Sequence, residues 1–313
     1  MSSDIVIGVD LGGTKIAFAA VDRQGKVLAD HVLPTLPLEG AEAVIGRIVQ
    51  GIETTAGLVE ANVVGVGIGS PGAIDVANGV ILNAVNLHWI DVPLAAGVRA
   101  GLKFEVPVEV QNDVNVGAVG EYLFGAARGV DDFIYLAVGT GLGGGAVSGG
   151  KLISGAQGMA MEVGHISIDP RGRLCGCGTP GCAEMYISGK GVLEGAKAHL
   201  SEFPNSPLTL QPLSTAAVVA ADKLGDPLAR LVIDEAGDAL GTVMAWSAAM
   251  FNPALILIGG GMGKVLGERL LTRAQAALAK RVYPPMLNKL RFGWSQIEAT
   301  AVGAAALSWL NRA

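Results

Sequence analysis

The chain has 313 residues, half of them apolar and 16% charged, with a formal net charge of −6. That is enough length for one large or two ordinary domains, and too much apolar content for a disordered chain. The negative balance argues against a broad nucleic-acid-binding surface, while abundant Gly, Ala and Val beside few aromatics point to close backbone packing.

No apolar run nears the roughly 20 residues that a membrane-spanning helix needs. The best, residues 254–258 and 216–221, are short. Asp4 and Asp10 interrupt the N-terminal apolar segment and no basic region precedes it, so a signal peptide is not expected. The expected location is the cytoplasm, with no membrane partner.

The opening alternates short apolar runs with turn residues. Strands are expected over 5–10, 15–21 and from 26 onward, separated by Gly12-Gly13 and by residues 22–25. A helix over 40–58 and a strand over 63–68 follow, and Pro71-Gly72 interrupts the continuation. A helix is expected after Pro93, then a strand over 108–110. Asn112-Asp113 stands where that strand hands over to a helix reaching about residue 124. The pattern then restarts: strand 133–138, a glycine-dense turn over 139–145, strand 145–148. This echo of the opening hairpin, in shape and not in sequence, suggests two lobes of related design with a cleft between them. Helices over 189–200, 215–224 and 228–250, a strand over 254–258, Gly259-Gly260-Gly261 and a further helix complete the second lobe. The lobe boundary is placed at 119/120.

Three glycine loops are candidates for holding phosphate. In the first, Asp10-Leu11-Gly12-Gly13-Thr14-Lys15, adjacent glycines let backbone amides approach phosphate oxygens. Asp10 at the strand end suits Mg²⁺ through water, and Thr14 adds a hydroxyl donor. An ordinary hairpin turn accounts for the same spacing. The second, Gly139-Thr140-Gly141-Leu142-Gly143-Gly144-Gly145, carries five glycines where a hairpin needs one or two, so close approach of phosphates is the better reason. It is not a Walker A loop, for no Gly-Lys-Ser/Thr ends it. The third, Gly259-Gly260-Gly261-Met262, ends a strand and opens a helix, where a nucleotide can lie against bare backbone. An ordinary strand-to-helix turn explains it equally well.

Cys175, Cys177 and Cys182 are the chain's three cysteines. They cannot pair without leaving one over, and C-x-C-x₄-C in a Gly/Pro-rich loop suits tetrahedral Zn²⁺. The fourth ligand must come from elsewhere, and His165 is the nearest histidine upstream. Such a site is structural, with no open coordination position. Three reduced, buried thiols are the plainer alternative.

Together these residues resemble the ROK family of sugar kinases and related repressors. The specific stretch is Glu162-Val163-Gly164-His165, then Pro170, Gly172, Cys175, Cys177-Gly178, Gly181-Cys182 and Glu184, which follows the family's signature at every position. DLGGTK, GIGSPG (residues 67–72), Asn86-Leu87-His88-Trp89, Asn112-Asp113 and GTGLGGG resemble further family elements in the family's order.

The resemblance implies an α/β, two-lobed actin/hexokinase-like (ribonuclease H-like) ATPase fold with a zinc-binding loop. It implies phosphorylation of a hexose at its 6-hydroxyl by ATP with Mg²⁺, glucose before N-acetylglucosamine or N-acetylmannosamine. Asp113 would be the general base, although an Asp at that place also suits a helix cap. Gly72, Asn86, Asn112, Glu162, His165 and Glu184 would meet the sugar, with one ring nitrogen of His165 on zinc and the other toward the sugar. Asp10, Gly12, Gly13, Thr14, Lys15, Thr140, Gly141, Gly260 and Gly261 would hold the nucleotide. The resemblance also implies a homodimer or homotetramer, and a C-terminal helix, residues 301–310 within the segment 300–313, that packs back on the first lobe. A repressor would carry a helix-turn-helix before the first loop; only nine residues precede Asp10, so binding of nucleic acid is not expected.

Overall fold

The structure, a computed structural model, describes residues 4–297 and 299–312; Met1, Ser2, Ser3, Glu298 and Ala313, which fall within the expected lobes, lie outside the described residues. The chain forms two compact units, one comprising Met1–Asp131, Gly145–Ala160 and Ser295–Ala313, the other Asp132–Gly144 and Met161–Trp294. The expected boundary at 119/120 and this division differ. The helix that follows Asn112 belongs with the C-terminal helix, and the break comes only after it.

In the first unit β1 (Asp4–Leu11), β2 (Lys15–Val21) and β3 (Val27–Pro34) form an antiparallel meander. After α1 (Ala41–Gly57), β4 (Asn62–Ser70) returns parallel to β1. β1 is apolar at nearly every position because both faces of its sheet are covered. Ile5, Ile7, Val9 and Leu11 pack with Val44, Ile48 and Ile52 of α1. Val6 on the opposite face packs with Ala301, Val302, Ala305 and Trp309 of the C-terminal helix. The period of two thus assigns alternate residues to two different helices.

A small antiparallel sheet follows, formed by β5 (Ala73–Asp75), β6 (Val80–Ala84) and β7 (Trp89–Val92). Its three- to five-residue strands are too short to show alternation, so no periodicity announces this sheet. Next come α2 (Leu94–Gly101), β8 (Val108–Asn112), parallel to β4, and α3 (Asp113–Leu123). The main sheet of this unit runs β3-β2-β1-β4-β8.

The second unit begins with β9 (Phe133–Val138). β10 (Leu142–Ser148) starts in this unit and carries the chain into the first, where β11 (Lys151–Leu152) pairs with it. Helices α4 (Glu184–Ile187), α5 (Gly189–His199), α6 (Thr215–Lys223) and α7 (Pro227–Phe251) follow. α7 starts where Asp226 accepts the amide of Ala229 at 2.9 Å with Pro227 in the first turn, and stops at Asn252 in the left-handed region. β12 (Leu255–Gly259) leads to α8 (Gly261–Leu266), α9 (Glu268–Ala279) and β13 (Arg291–Trp294). β12 is parallel to both β9 and β13. The chain ends in α10 (Thr300–Leu310), part of the first unit. No described helix is long and apolar enough to cross a membrane.

Candidate active site and metal centre

Asp10 sits next to the end of β1, between Ala17 of β2 and Gly69 of β4. Burial pushes its carboxyl up from the ordinary value, opposed by a hydrogen bond with Thr300 and by the charge of Lys15. A partly desolvated carboxylate is a group that gains from a nearby cation. The following turn is held in shape. The Gly12 amide donates to the Lys15 carbonyl at 3.0 Å, and the Thr35 hydroxyl donates to the Gly12 carbonyl at 2.6 Å. A Cβ on Gly13 would stand 3.4 Å from Asn86, so the first loop and Asn86 are neighbours. Thr14 and Lys15 are exposed.

At the β8–α3 junction, Asn112 Oδ1 accepts from the amides of Val114 (2.9 Å) and Asn115 (3.4 Å). Asn112, not Asp113, is therefore the cap. Asp113 is the first helical residue, half-exposed, and its Oδ1 accepts the Val114 amide at 2.9 Å. Its carboxylate lies at the positively polarised end of α3. Asn112 Nδ2 donates to the Gly72 carbonyl at 3.4 Å. Gly72 has φ 95°, and a side chain there would run into the backbone of Asn83 and Ala84. Gly72, Asn112 and Asp113 are thus brought together, and Gly72 is glycine for conformational reasons.

The second glycine loop is shorter than the sequence suggests. The turn is confined to Gly139–Gly141, closed by the Gly139 amide donating to the Gly141 carbonyl at 2.9 Å, and β10 already begins at Leu142. Gly144 and Gly145 are small for packing: a Cβ would stand 2.9 Å from the Met161 carbonyl at one and 2.8 Å from the Ala118 Cβ at the other. Phosphate approach does not explain those two. Thr140 is exposed at the turn. The third loop backs onto the second through Gly260, φ 80°, whose missing side chain leaves room for the Val138 backbone. Gly261 opens α8.

Two further residues join these loops. The Gly189 amide donates to the Gly139 carbonyl at 2.9 Å, and the Thr215 hydroxyl donates to the Gly189 carbonyl at 2.7 Å. A Cβ on Gly189 would stand 3.4 Å from Met262. The sequence signal was faint: a Gly-Lys-Gly run at the start of a helix, and a Ser-Thr pair at the start of another.

His165, Cys175, Cys177 and Cys182 bring one ligand atom each within 4.8 Å of one another. The Cys177 and Cys182 Sγ atoms are 3.5 Å apart, and Cys175 Sγ is 3.7 Å from His165 Nδ1. A tetrahedral zinc with Zn–S of about 2.3 Å and Zn–N of about 2.0 Å has edges of roughly 3.5 to 3.8 Å, so the donor set fits. The thiols do not ionise evenly by themselves. The Thr179 amide brings Cys177 down to about 6, whereas burial among the other thiols pushes Cys182 up to about 12. A divalent cation removes that penalty. With Nδ1 turned to the cluster, the Nε2 side of the exposed His165 ring faces away from it. Glu162 is likewise exposed, and its carbonyl accepts the His165 amide at 3.1 Å.

The profile of the ROK family matches residues 6–309. The chain belongs to the ROK family. It is 35% identical, over a 315-residue alignment covering 96% of each chain, to a glucokinase of Thermotoga maritima. A crystal structure of a ROK family glucokinase from Streptomyces griseus, in complex with glucose and AMPPNP, superposes with a TM-score of 0.80 at 35% identity, covering 97% of this chain and 98% of that one. A xylose repressor of Caldicellulosiruptor bescii is 31% identical over 308 residues, 95% of this chain and 75% of the repressor. The fold is the α/β actin/hexokinase type of the ROK sugar kinases, with a Cys/His cluster suited to zinc.

In this ROK chain the cysteine loop is fastened to α4 by Arg173. Its guanidinium donates to the carbonyls of Met185 (2.9 Å) and Gly191 (3.3 Å), pairs with Glu235 at 2.6 Å, and lies 4.6 Å from the Tyr186 ring centroid. α4 opens with Glu184, whose Oε2 accepts the Leu142 amide at 3.0 Å. Arg173 carried no sequence signal, since an isolated Arg in a polar loop reads as surface charge.

Proposed function

We propose that the chain transfers the γ-phosphoryl group of ATP to the 6-hydroxyl of a hexose, with glucose as the first choice. The observation that carries this reading is the Asn112–Asp113 pair: Asn112 caps α3 and Asp113 is its first residue, a position from which a carboxylate can serve as the base. The likeness over nearly the whole chain to a glucokinase seen with glucose and AMPPNP supports it.

In this reading Asp113 takes the proton of the 6-hydroxyl as that oxygen attacks the γ-phosphorus in line with the leaving β-phosphate oxygen; the proton ends on the carboxylate and ADP departs. Gly72, Asn86, Asn112, Glu162, His165 and Glu184 bind the sugar. Asp10, Gly12, Gly13, Thr14 and Lys15, with Thr140, Gly141, Gly260 and Gly261, hold the nucleotide. Mg²⁺ would offset phosphate charge, held through water by Asp10. Zinc on His165, Cys175, Cys177 and Cys182 would fix the His165 ring toward the sugar.

The test is ADP release measured with glucose, mannose, N-acetylglucosamine, N-acetylmannosamine and fructose, with Asp113→Asn alongside. Glucose should turn over fastest, and the variant should lose about 10²- to 10⁴-fold in kcat with little change in the sugar KM. Near-normal turnover by Asp113→Asn would remove the base assignment. A faster N-acetylhexosamine would move the substrate within the family.

A second reading, a sugar-responsive regulator, is favoured by the identity to the xylose repressor. Tight sugar binding without turnover of any of the five sugars would support it.

A further inference from the structure

We infer that Glu184 is a positioning residue for the nucleotide loop as well as a sugar ligand, so that one carboxylate couples the two sites. This rests on the kinase reading above. The observations lie within the second unit. Oε2 of Glu184 accepts the Leu142 amide at 3.0 Å, at the point where the Gly139–Gly141 turn enters β10. From the other side, a Cβ on Gly141 would stand 2.5 Å from the same oxygen. Glycine at 141 therefore makes room for this carboxylate, and phosphate approach is not its only reason.

The carboxylate is itself held. Glu184 begins α4, whose Met185 carbonyl receives Arg173 from the cysteine loop, and the Ser188 amide donates to the Glu184 carbonyl at 3.1 Å. One residue further on, the Gly189 amide donates to the Gly139 carbonyl. Residues 184–189 thus grip the turn at both ends, Leu142 through a side chain and Gly139 through backbone. A half-buried charge-assisted hydrogen bond is strong enough to fix a loop that glycine leaves free. Sugar hydroxyls placed on the other carboxylate oxygen would then bias the loop toward one conformation, and an ordered loop would in turn favour the sugar-binding pose of Glu184.

The experiment is calorimetric titration of AMPPNP with Mg²⁺ into the full chain without sugar, for the wild type, Glu184→Ala, Glu184→Gln, Gly141→Ala and the Glu184→Ala/Gly141→Ala double variant. Zinc content and thermal melting report whether each is folded. Glu184→Ala should weaken AMPPNP binding about tenfold. Glu184→Gln should recover most of it, because its Oε1 still accepts the Leu142 amide. Gly141→Ala should weaken AMPPNP and, with the sugars tested separately, raise the sugar Kd too, since its methyl displaces the carboxylate. In the double variant the two losses should not add, because removing the carboxylate removes the clash. Unchanged AMPPNP affinity in Glu184→Ala, or additive losses in the double variant, would overturn the coupling while leaving the kinase reading intact. A wild type that binds AMPPNP yet phosphorylates no hexose would instead overturn the kinase reading. A wild type that binds no AMPPNP overturns both.

Discussion

Glu121 and Ser295, 174 residues apart, meet at 2.6 Å, the hydroxyl donating to Oε1 of a fully buried carboxylate. The same oxygen accepts the amides of Gln296 (2.9 Å) and Ile297 (2.8 Å), while Oε2 accepts the Ala126 amide at 2.8 Å. A buried charge is tolerated because four donors surround it. The effect is to pin the segment before α10 to α3, the helix that begins with Asp113.

Glu121→Ala should therefore destabilise the protein by about 3 to 5 kcal/mol, the loss expected when a buried charged hub leaves its donors unpaired. Glu121→Gln should also destabilise, because its amide nitrogen faces donors on one side. The urea midpoint of unfolding measures both. A shift of under about 1 kcal/mol for the alanine variant, in the range of an ordinary surface substitution, would show that the segment is held by packing alone.

The packing of α10 gives a second prediction. Gly8 and Gly67, on the face of β1 and β4 that meets α10, leave no room for a Cβ against the carbonyls of Ala301 and Ala304. Gly120 and Gly303 bring α3 and α10 equally close, a Cβ on Gly120 standing 2.8 Å from the Gly303 Cα. Backbone cannot step aside by changing rotamer, so Gly8→Ala should cost about 3 kcal/mol or more. Gly46→Ala, at an exposed position in α1 with open space around it, should be neutral or slightly stabilising. Similar melting temperatures for the two variants would contradict this account of the interface.

Much of this was legible beforehand because it is local. The expected helix 40–58 is observed as Ala41–Gly57, the expected helix 228–250 as Pro227–Phe251, and the expected C-terminal helix 301–310 as Thr300–Leu310. The cysteine spacing with His165 pointed to the cluster because ligand geometry constrains spacing tightly. What stayed hidden depends on partners distant in sequence. Glu121 reads as a surface residue on a helix until residues 295–297 are placed beside it. Asn112 and Asp113 are both good caps, and only backbone geometry separates them. Gly144 and Gly145 look like loop glycines, yet their neighbours Met161 and Ala118 make them strand glycines.

The cluster of His165 and the three cysteines leads to a third prediction. Protein purified without chelator should carry close to one zinc per chain, and stripping it with a strong chelator should lower the melting temperature. The loosening should concentrate in residues 165–184, read by hydrogen exchange, since Arg173 and Cys175 share that loop. Cys177→Ser should reduce zinc content while Cys175 and Cys182 stay buried. Metal-free protein with unchanged melting and exchange would refute a structural zinc.

Asp10 supplies the last prediction, and its sign follows from linkage. Burial raises its folded-state carboxyl above the ordinary value of 3.8. Between that value and the raised one the folded chain binds more protons than the unfolded chain, so stability falls as pH rises through the window. At neutral pH the ionised Asp10 is thus a cost to the ligand-free fold, unlike an ion-paired surface carboxylate, whose contribution is lost on acidification. Asp10→Asn should melt at a higher temperature than the wild type at pH 7, and the gap should close as pH is lowered toward 4. Adding Mg²⁺ with AMPPNP should reverse the order, stabilising the wild type more than the variant, because only the carboxylate gains from the cation. A variant less stable than the wild type at pH 7 without ligand would mean that the Thr300 hydrogen bond outweighs desolvation, and that Asp10 is a structural residue of the β1–α10 contact.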